Sequence, residues 1–125
     1  MMEKYIPKLE WVSLIGNTKG EEGEYFKKLI EETKAKIAAV PELGTEEKDP
    51  CARLHYFCGA TDIYICELNK ETGEAFGFSC LGGDRDNAEY GYIDLNEVCS
   101  IAMMELDLYF DDTQKMKDIV EKFKS

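Results

Sequence analysis

Histidine, tryptophan, proline and positive charge are all scarce in this sequence. Its 125 residues include one His, one Trp and three Pro, and 15 Lys and Arg stand against 26 Asp and Glu. The formal net charge of -11 makes binding to nucleic acid or to an anionic membrane unfavourable. No apolar run reaches the roughly eighteen residues of a membrane span, and no basic stretch precedes an apolar one near the start. We therefore expect a cytoplasmic protein that binds neither nucleic acid nor membranes.

The cysteine and histidine pattern argues against a metal site. The five cysteines are widely spaced and form no C-x-x-C pair, which excludes a zinc knuckle and disfavours a disulfide framework. The segment CARLHYFC places His55 between Cys51 and Cys58. In a strand, Cys51 and His55 share one face while Cys58 points to the other, so a tetrahedral zinc site lacks its ligands. We expect reduced, mostly buried thiols and neither a metal nor a cofactor.

The first 40 residues contain one clear amphipathic pattern. Residues 21–40 place apolar side chains at helical spacing, with two favourable Glu–Lys pairs on the outer face, and Pro41 ends the pattern. We predict a helix over about residues 21–40, within an N-terminal extension formed by residues 1–40. The length and composition of the whole chain predict a single domain over residues 1–125.

Beyond residue 51 the pattern changes from helical to alternating. Residues 52–58, 61–68 and 75–81 are rich in β-branched and aromatic side chains and are separated by turn residues, which predicts three antiparallel strands in a meander. In the third strand Phe76 and Phe78 share one face as core residues. Gly77 lies on the other face and indicates a bulge or the close approach of another backbone.

The remaining segments complete the predicted fold. Residues 90–93 form a short extended stretch, and Asp94 with Glu97 form a capping-box-like start for a helix over residues 95–104. Residues 105–110 alternate as a fourth or fifth strand, and a helix capped by Asp112 or Thr113 occupies residues 113–125. The predicted class is α+β: an antiparallel meander of about four to five strands, with about three helices packed on one side or at the ends.

Acidic residues are concentrated in the second half of the chain. Residues 86–114 contain no Lys or Arg and carry eight acids, so this segment presents a negative face or buries some carboxylates. The loop is not an EF-hand, because Ala88 and Glu89 stand where a ligand and the turn glycine are required. A carboxylate cluster for a metal-dependent hydrolase is one alternative, with candidate ligands Glu67, Asp84, Asp86 and Glu89. Only Arg85 is nearby to handle phosphate charge, so we do not expect catalysis.

Four blocks in the same order resemble one family. Asp62, Ile63, Tyr64 and Glu67 match a D-W-Y-x-x-E block, residues 76–78 match F-G-F, residues 87–95 match N-A-E-W-G-Y-x-S-L, and residues 107–110 match D-L-Y-F. This arrangement is similar to a domain of unknown function in small bacterial proteins that are common on plasmids, phages and conjugative elements. The resemblance covers about residues 41–112. It implies a fold and a genomic setting and supplies no catalytic residues.

Two departures from that family bear on any recognition surface. Ile63 and Tyr90 replace the family's tryptophans, and the helix over residues 21–40 is an N-terminal addition. If the tryptophan positions form a recognition surface, this chain has altered it. If they lie in the core, the replacements conserve approximate volume.

The leading functional hypothesis is a non-catalytic protein-interaction module of a mobile genetic element or its host. Tyrosines beside carboxylates suit a basic protein partner. A sharper variant is a DNA mimic that inhibits a DNA-binding protein through its base-free acidic segment, and the metal-dependent hydrolase is the third alternative. In the competing structural interpretation, Glu67 and Glu89 cap turns or pair with lysines and the tyrosines complete the sheet edge. The candidate binding residues are Tyr64, Glu67, Asp84, Asp86, Glu89, Tyr92, Asp107 and Tyr109.

Overall fold

The computed structural model describes residues 1–125 and contains four α-helices and one five-stranded antiparallel sheet. The α+β prediction is therefore confirmed. The sheet order is β4-β3-β2-β1-β5, a four-strand meander to which a short fifth strand returns beside β1. The elements are α1 (Lys8–Asn17), α2 (Gly23–Ala38), β1 (Leu54–Cys58), β2 (Thr61–Leu68), β3 (Glu74–Cys80), β4 (Glu89–Asp94), α3 (Leu95–Ser100), β5 (Glu105–Leu106) and α4 (Met116–Lys124).

Helices cover both faces of the sheet. On the first face, α1, α2 and α3 bury an 18-residue cluster that includes Ile30, Ile37, Ile65 and Leu95. On the second face, α4 and the segments beside it cover a smaller cluster of eight buried residues. The prediction of helices on one side or at the ends needs correction, since α4 packs opposite the other three. No helix combines the length and apolar composition that crossing a membrane requires.

The helix that sequence reasoning missed is α1. Of its ten residues only Leu14 is buried, whereas α2 buries an apolar stripe as its pattern predicted. Because most apolar side chains of α1 remain exposed, its sequence lacks the contrast between an apolar and a polar face that identifies a surface helix. The helix count is four, one more than predicted.

A β-bulge in β2 changes the face of the sheet on which the next side chains lie. Pairing with β3 passes from Ile65↔Gly77 to Glu67↔Phe76, which leaves Cys66 as an extra residue. Because side chains alternate along a strand, one extra residue shifts the alternation beyond it. Cys66 packs in the cluster of the second face, and Glu67 follows it onto that same face instead of returning to the first.

Gly77 is required at this bulge. A Cβ on Gly77 would lie 1.9 Å from the backbone carbonyl oxygen of Tyr64, far closer than any side chain can approach. The predicted bulge and close backbone approach at Gly77 are both present.

Three boundaries differ from the sequence prediction. β5 ends at Leu106 because the Asp107 carboxylate accepts the Tyr109 N–H at 3.0 Å and turns the chain. The helix after Asp94 is only six residues long and stops at Ser100, although Asp94 caps it as predicted by accepting the Asn96 and Glu97 N–H groups. α4 begins after Lys115 without a side-chain cap, because Thr113 bonds to Asp111 in a preceding turn.

We predict that Gly77→Ala destabilises the fold strongly, whereas Gly91→Ala does not. The two glycines are cross-strand partners, but a Cβ on Gly91 would meet no atom within 4 Å. We expect a loss of about 2–3 kcal/mol for Gly77→Ala from overpacking against the backbone, and a change within about 0.5 kcal/mol for Gly91→Ala. Urea unfolding midpoints at unchanged m-value measure both, and equal midpoints would contradict the assignment.

We predict that Glu10 makes the protein less stable as the pH rises. Burial, with the nearby charges of Glu105 and Asp107, raises the pKa of Glu10 from 4.5 to about 7, even though its carboxylate accepts the Leu106 N–H. Between these values the folded chain binds more protons than the unfolded chain, so this stability is complete below about pH 4.5 and is lost as the pH rises through about 7.

Glu10→Gln removes this contribution while its amide oxygen can still accept the Leu106 N–H. Because the side chain is only half-buried and its charge is screened by solvent, we expect a gain of only about 1 kcal/mol at pH 8 over the wild type, with little difference at pH 4. Urea unfolding across this pH range measures the effect, with the exposed Glu121→Gln as the charge-matched control. A constant difference between Glu10→Gln and wild type at every pH would contradict the prediction.

Candidate binding groove at the edge of the sheet

An aromatic patch lies where β3 meets the edge strand β4. Tyr90 and Tyr92 pair with Phe78 and Phe76, so all four side chains lie on the second face. The Tyr90 ring stacks at 5.9 Å on Phe76, and the Tyr92 ring contacts Phe76 edge-on at 5.3 Å. Tyr92 is nevertheless 72% exposed. The patch therefore presents a rigid aromatic surface to solvent.

The position of α4 explains why this patch is open. Phe123 of α4 packs on Phe78 at 5.8 Å and on Tyr64 at 6.0 Å, and Arg85 lies over the Phe123 ring. Phe78 is fully buried, whereas Phe76, two residues away on the same face, is only half-buried. The helix thus covers one end of β3 and leaves the other end uncovered.

A loop held by Glu67 forms the wall opposite the aromatic patch. Glu67 is only 6% exposed, and its two carboxylate oxygens accept the N–H groups of Gly44 at 3.0 Å and Glu46 at 2.5 Å. These bonds fix the loop beside β2. The resulting groove of about 320 Å³ is lined by Gly44, Glu46, Glu47, Pro50, Cys66, Glu67, Phe76 and Tyr92.

A second groove on the other side of Tyr92 is also acidic. It measures about 560 Å³ and is lined by Asn69, Thr72, Glu74, Tyr92, Ile93 and Asp94. The two linings together carry five carboxylates and no Lys or Arg. One of these carboxylates, Glu47, pairs with Arg53, whose Nη2 lies 3.7 Å from it. Tyr92 therefore stands between two grooves of the same negative sign, which suits a positively charged ligand.

The main chain of β4 is open along this edge. Leu95, directly after β4, donates its N–H to the Gly73 carbonyl at 2.9 Å. Bonding residues alternate along an antiparallel strand, so Tyr90, Tyr92 and Asp94 direct their main-chain groups away from β3. β4 is the terminal strand of the sheet, and these groups can pair with another extended chain.

The predicted site residues near β4 have distinct local roles. Tyr92 and Glu67 line the first groove, whereas Glu89 pairs with Ser79 and lies on the opposite face. Asp84 accepts bonds from the Asn87 N–H and side-chain amide, which hold the pKa of Asp84 below its usual value. Asp86 lies exposed in the same short 3₁₀ turn, Arg85–Asn87.

The other three predicted residues lie elsewhere. The Tyr64 ring stacks at 4.4 Å on His55, whose Nε2 is 2.7 Å from an Asp62 oxygen, while Asp107 lies 3.8 Å from Nδ1. The Tyr109 hydroxyl hydrogen-bonds to the Tyr25 hydroxyl of α2. The eight predicted residues therefore fall into several groups and do not form one surface.

Sequence reasoning missed most of the groove. Phe76 was expected in the core, and the loop around Glu46 and Glu47 carried no signal of its position, because that position depends on the buried Glu67. The alternation of Tyr90 and Tyr92 with Gly91 is the one pattern that could have marked an aromatic edge strand.

The structure forms neither the zinc arrangement that the sequence argued against nor the alternative carboxylate cluster. Cys58 packs with the first-face core while His55 stacks on Tyr64 of the second face, as strand alternation predicted. No group of three or more His, Cys, Asp or Glu side chains is placed to hold a metal ion. The carboxylates considered for a hydrolase, Glu67, Asp84, Asp86 and Glu89, thus do not converge on one site.

No protein-family model, curated protein or solved structure matches this chain. A function for this chain is therefore inferred from the geometry of the groove.

We predict that Glu67→Gln loosens the groove wall. The glutamine amide group would face one of the two N–H donors and leave it unpaired, which costs about 1–3 kcal/mol. We expect faster hydrogen exchange at the Gly44 and Glu46 amides and a lower urea midpoint. Glu74→Gln removes one charge from the neighbouring groove without breaking a bond and is the control. Unchanged exchange at both amides in Glu67→Gln would show that this carboxylate does not hold the loop.

Proposed function

We propose that the protein is a non-catalytic protein-interaction module that binds an extended, basic segment of a partner along β4 and over Tyr92. The observation that carries this proposal is the coincidence of an open strand edge with an exposed tyrosine between two acidic grooves. On the resemblance described above, the partner belongs to a mobile genetic element or to its host.

The open edge supplies the main-chain part of the interaction. An extended peptide that adds to β4 satisfies the outward N–H and C=O groups of Tyr90 and Tyr92, as strand addition does in other recognition modules. These bonds depend little on sequence, so they give affinity and fix the direction of the peptide.

The grooves supply the selectivity. Alternate side chains of an added strand point to the second face, where a Lys or Arg can lie over the Tyr92 ring and near Glu46, Glu47 or Glu74. A cation over a tyrosine contributes about 0.5–2 kcal/mol, the larger value when it is desolvated. Acidic peptides would be repelled by the same carboxylates.

This binding mode is favoured over DNA mimicry. A mimic requires carboxylates free to stand in for a row of phosphates. Asp94, Asp107 and Asp111 of the base-free segment instead accept local N–H groups at helix starts and turns. Their duties are structural, whereas the Glu46 and Glu74 carboxylates beside Tyr92 accept no such bond and Glu47 pairs with Arg53.

We predict that a peptide with Arg alternating with Val and Thr binds in a salt-dependent manner and that Tyr92→Ala weakens binding about tenfold. Fluorescence anisotropy with a labelled ten-residue peptide measures the Kd. Tyr109→Ala is the matched control, since Tyr109 is 68% exposed and lies outside the groove. Glu46→Gln/Glu74→Gln should also weaken binding, compared with the equally charged control Glu21→Gln/Glu121→Gln.

A second peptide separates strand addition from simple charge attraction. A peptide of equal charge with proline at every third position cannot pair with β4 and should bind at least about tenfold more weakly. Equal binding of both peptides would refute strand addition, and equal effects of Tyr92→Ala and Tyr109→Ala would refute the groove.

A further inference from the structure

Helix α1 exposes an apolar face that nothing in the chain covers. Leu9 and Val12 are 65% and 66% exposed, and Ile15 also remains exposed. Met103, in the turn before β5, is exposed beside them and lines a groove of about 440 Å³ together with Leu9 and Ser13. Exposed aliphatic side chains are common singly, but a contiguous group marks an interaction surface.

The face has a specific shape. Leu9, Val12, Ser13 and Gly16 lie at i, i+3, i+4 and i+7, which places them in one stripe along α1. A Cβ on Gly16 would meet no atom within 4 Å. The stripe thus has a large side chain at one end, an empty position at the other and small or β-branched residues between them.

We propose that two copies of the chain associate through antiparallel pairing of their α1 helices. Inverting one helix places Leu9 of each copy over Gly16 of the other and sets Val12 opposite Ser13. The contact is self-complementary, as a twofold interface requires, because each projecting leucine meets the position that lacks a side chain. An unrelated helix would have to supply this same spacing.

The charges at the ends of α1 agree with this orientation. Lys4 and Lys8 flank the start of the helix, where Glu3 pairs with the Met1 amino group, while Glu21 and Glu22, with Lys19, follow its end. Antiparallel pairing brings the basic end of one helix to the net acidic end of the other. The side chain of Glu10 turns inward to the Leu106 N–H and stays out of the contact.

This association is independent of peptide binding. α1 packs on the first face, through Leu14 and Trp11, while the grooves around Tyr92 lie on the second. A failure of either proposal therefore leaves the other intact. The helix has ten residues, so the contact is small and we expect a dissociation constant in the micromolar range, of order 10 μM.

Sedimentation velocity of the full chain from about 1 to 200 μM tests the proposal, because mass action must shift the protein from monomer to dimer over this range. Leu9→Glu should raise the dissociation constant at least about tenfold. Leu81→Glu is the matched control, since Leu81 is 62% exposed and lies in the turn after β3, which bonds to Thr61 of β2. A wild-type chain that stays monomeric throughout would overturn the proposal.

Gly16→Leu separates loss of the contact from loss of folding. In the monomer it removes a helix-destabilising glycine and should raise Tm by about 2–4 °C at low concentration. In the dimer it fills the position that receives Leu9, so the dissociation constant should also rise at least about tenfold. A dimer that survives both Leu9→Glu and Gly16→Leu would place the interface elsewhere and refute the assignment to α1.

Discussion

One additional residue within β2 determines on which face of the sheet Glu67 lies. The bulge at Cys66 brings Glu67 to the second face, and Gly77 across the strand pair admits the displaced backbone. A carboxylate is too polar to bury without partners, and two N–H groups of the loop at residues 44–46 supply them. In a regular strand Glu67 would point toward the apolar core of the first face. Because of the bulge, it instead holds the loop that forms the groove wall.

The acidic side chains fall into two groups, those that bond to the protein's own backbone and those that do not. Some carboxylates satisfy main-chain donors that the fold leaves unpaired: Asp94 caps a helix, Asp107 and Asp111 make turns, and Glu67 holds a loop. Others, such as Glu46 and Glu74, make no such bond and stay available to a ligand. A net charge of -11 thus overstates the acidity available for binding, and only the local count around Tyr92 bears on partner choice.

Periodicity identified the parts of the fold that depend on local pattern. Helix α2, the strands β1 to β3, the Asp94 cap and the close approach at Gly77 follow from spacing and residue type alone. Helix α1 was not predicted because most of its apolar side chains face solvent. Strand β5 is shorter than its alternation suggests because the Asp107 carboxylate accepts the Tyr109 N–H. The groove depends on a long-range contact of Glu67 with a loop 21 residues earlier in sequence, which no local pattern encodes.

The two exposed apolar surfaces, at β4 and on α1, favour different partners. At β4 the exposed rings lie among carboxylates, so a second copy, which carries the same charges, is a poor occupant and a basic segment a good one. At α1 the stripe from Leu9 to Gly16 is uncharged, and the flanking charges differ in sign between its two ends. A second copy of the chain can therefore pack there without repulsion. A dimer through α1 keeps both β4 edges free and presents two equivalent sites. A partner with two basic segments would then bind more tightly than one segment alone, provided its linker spans the two edges.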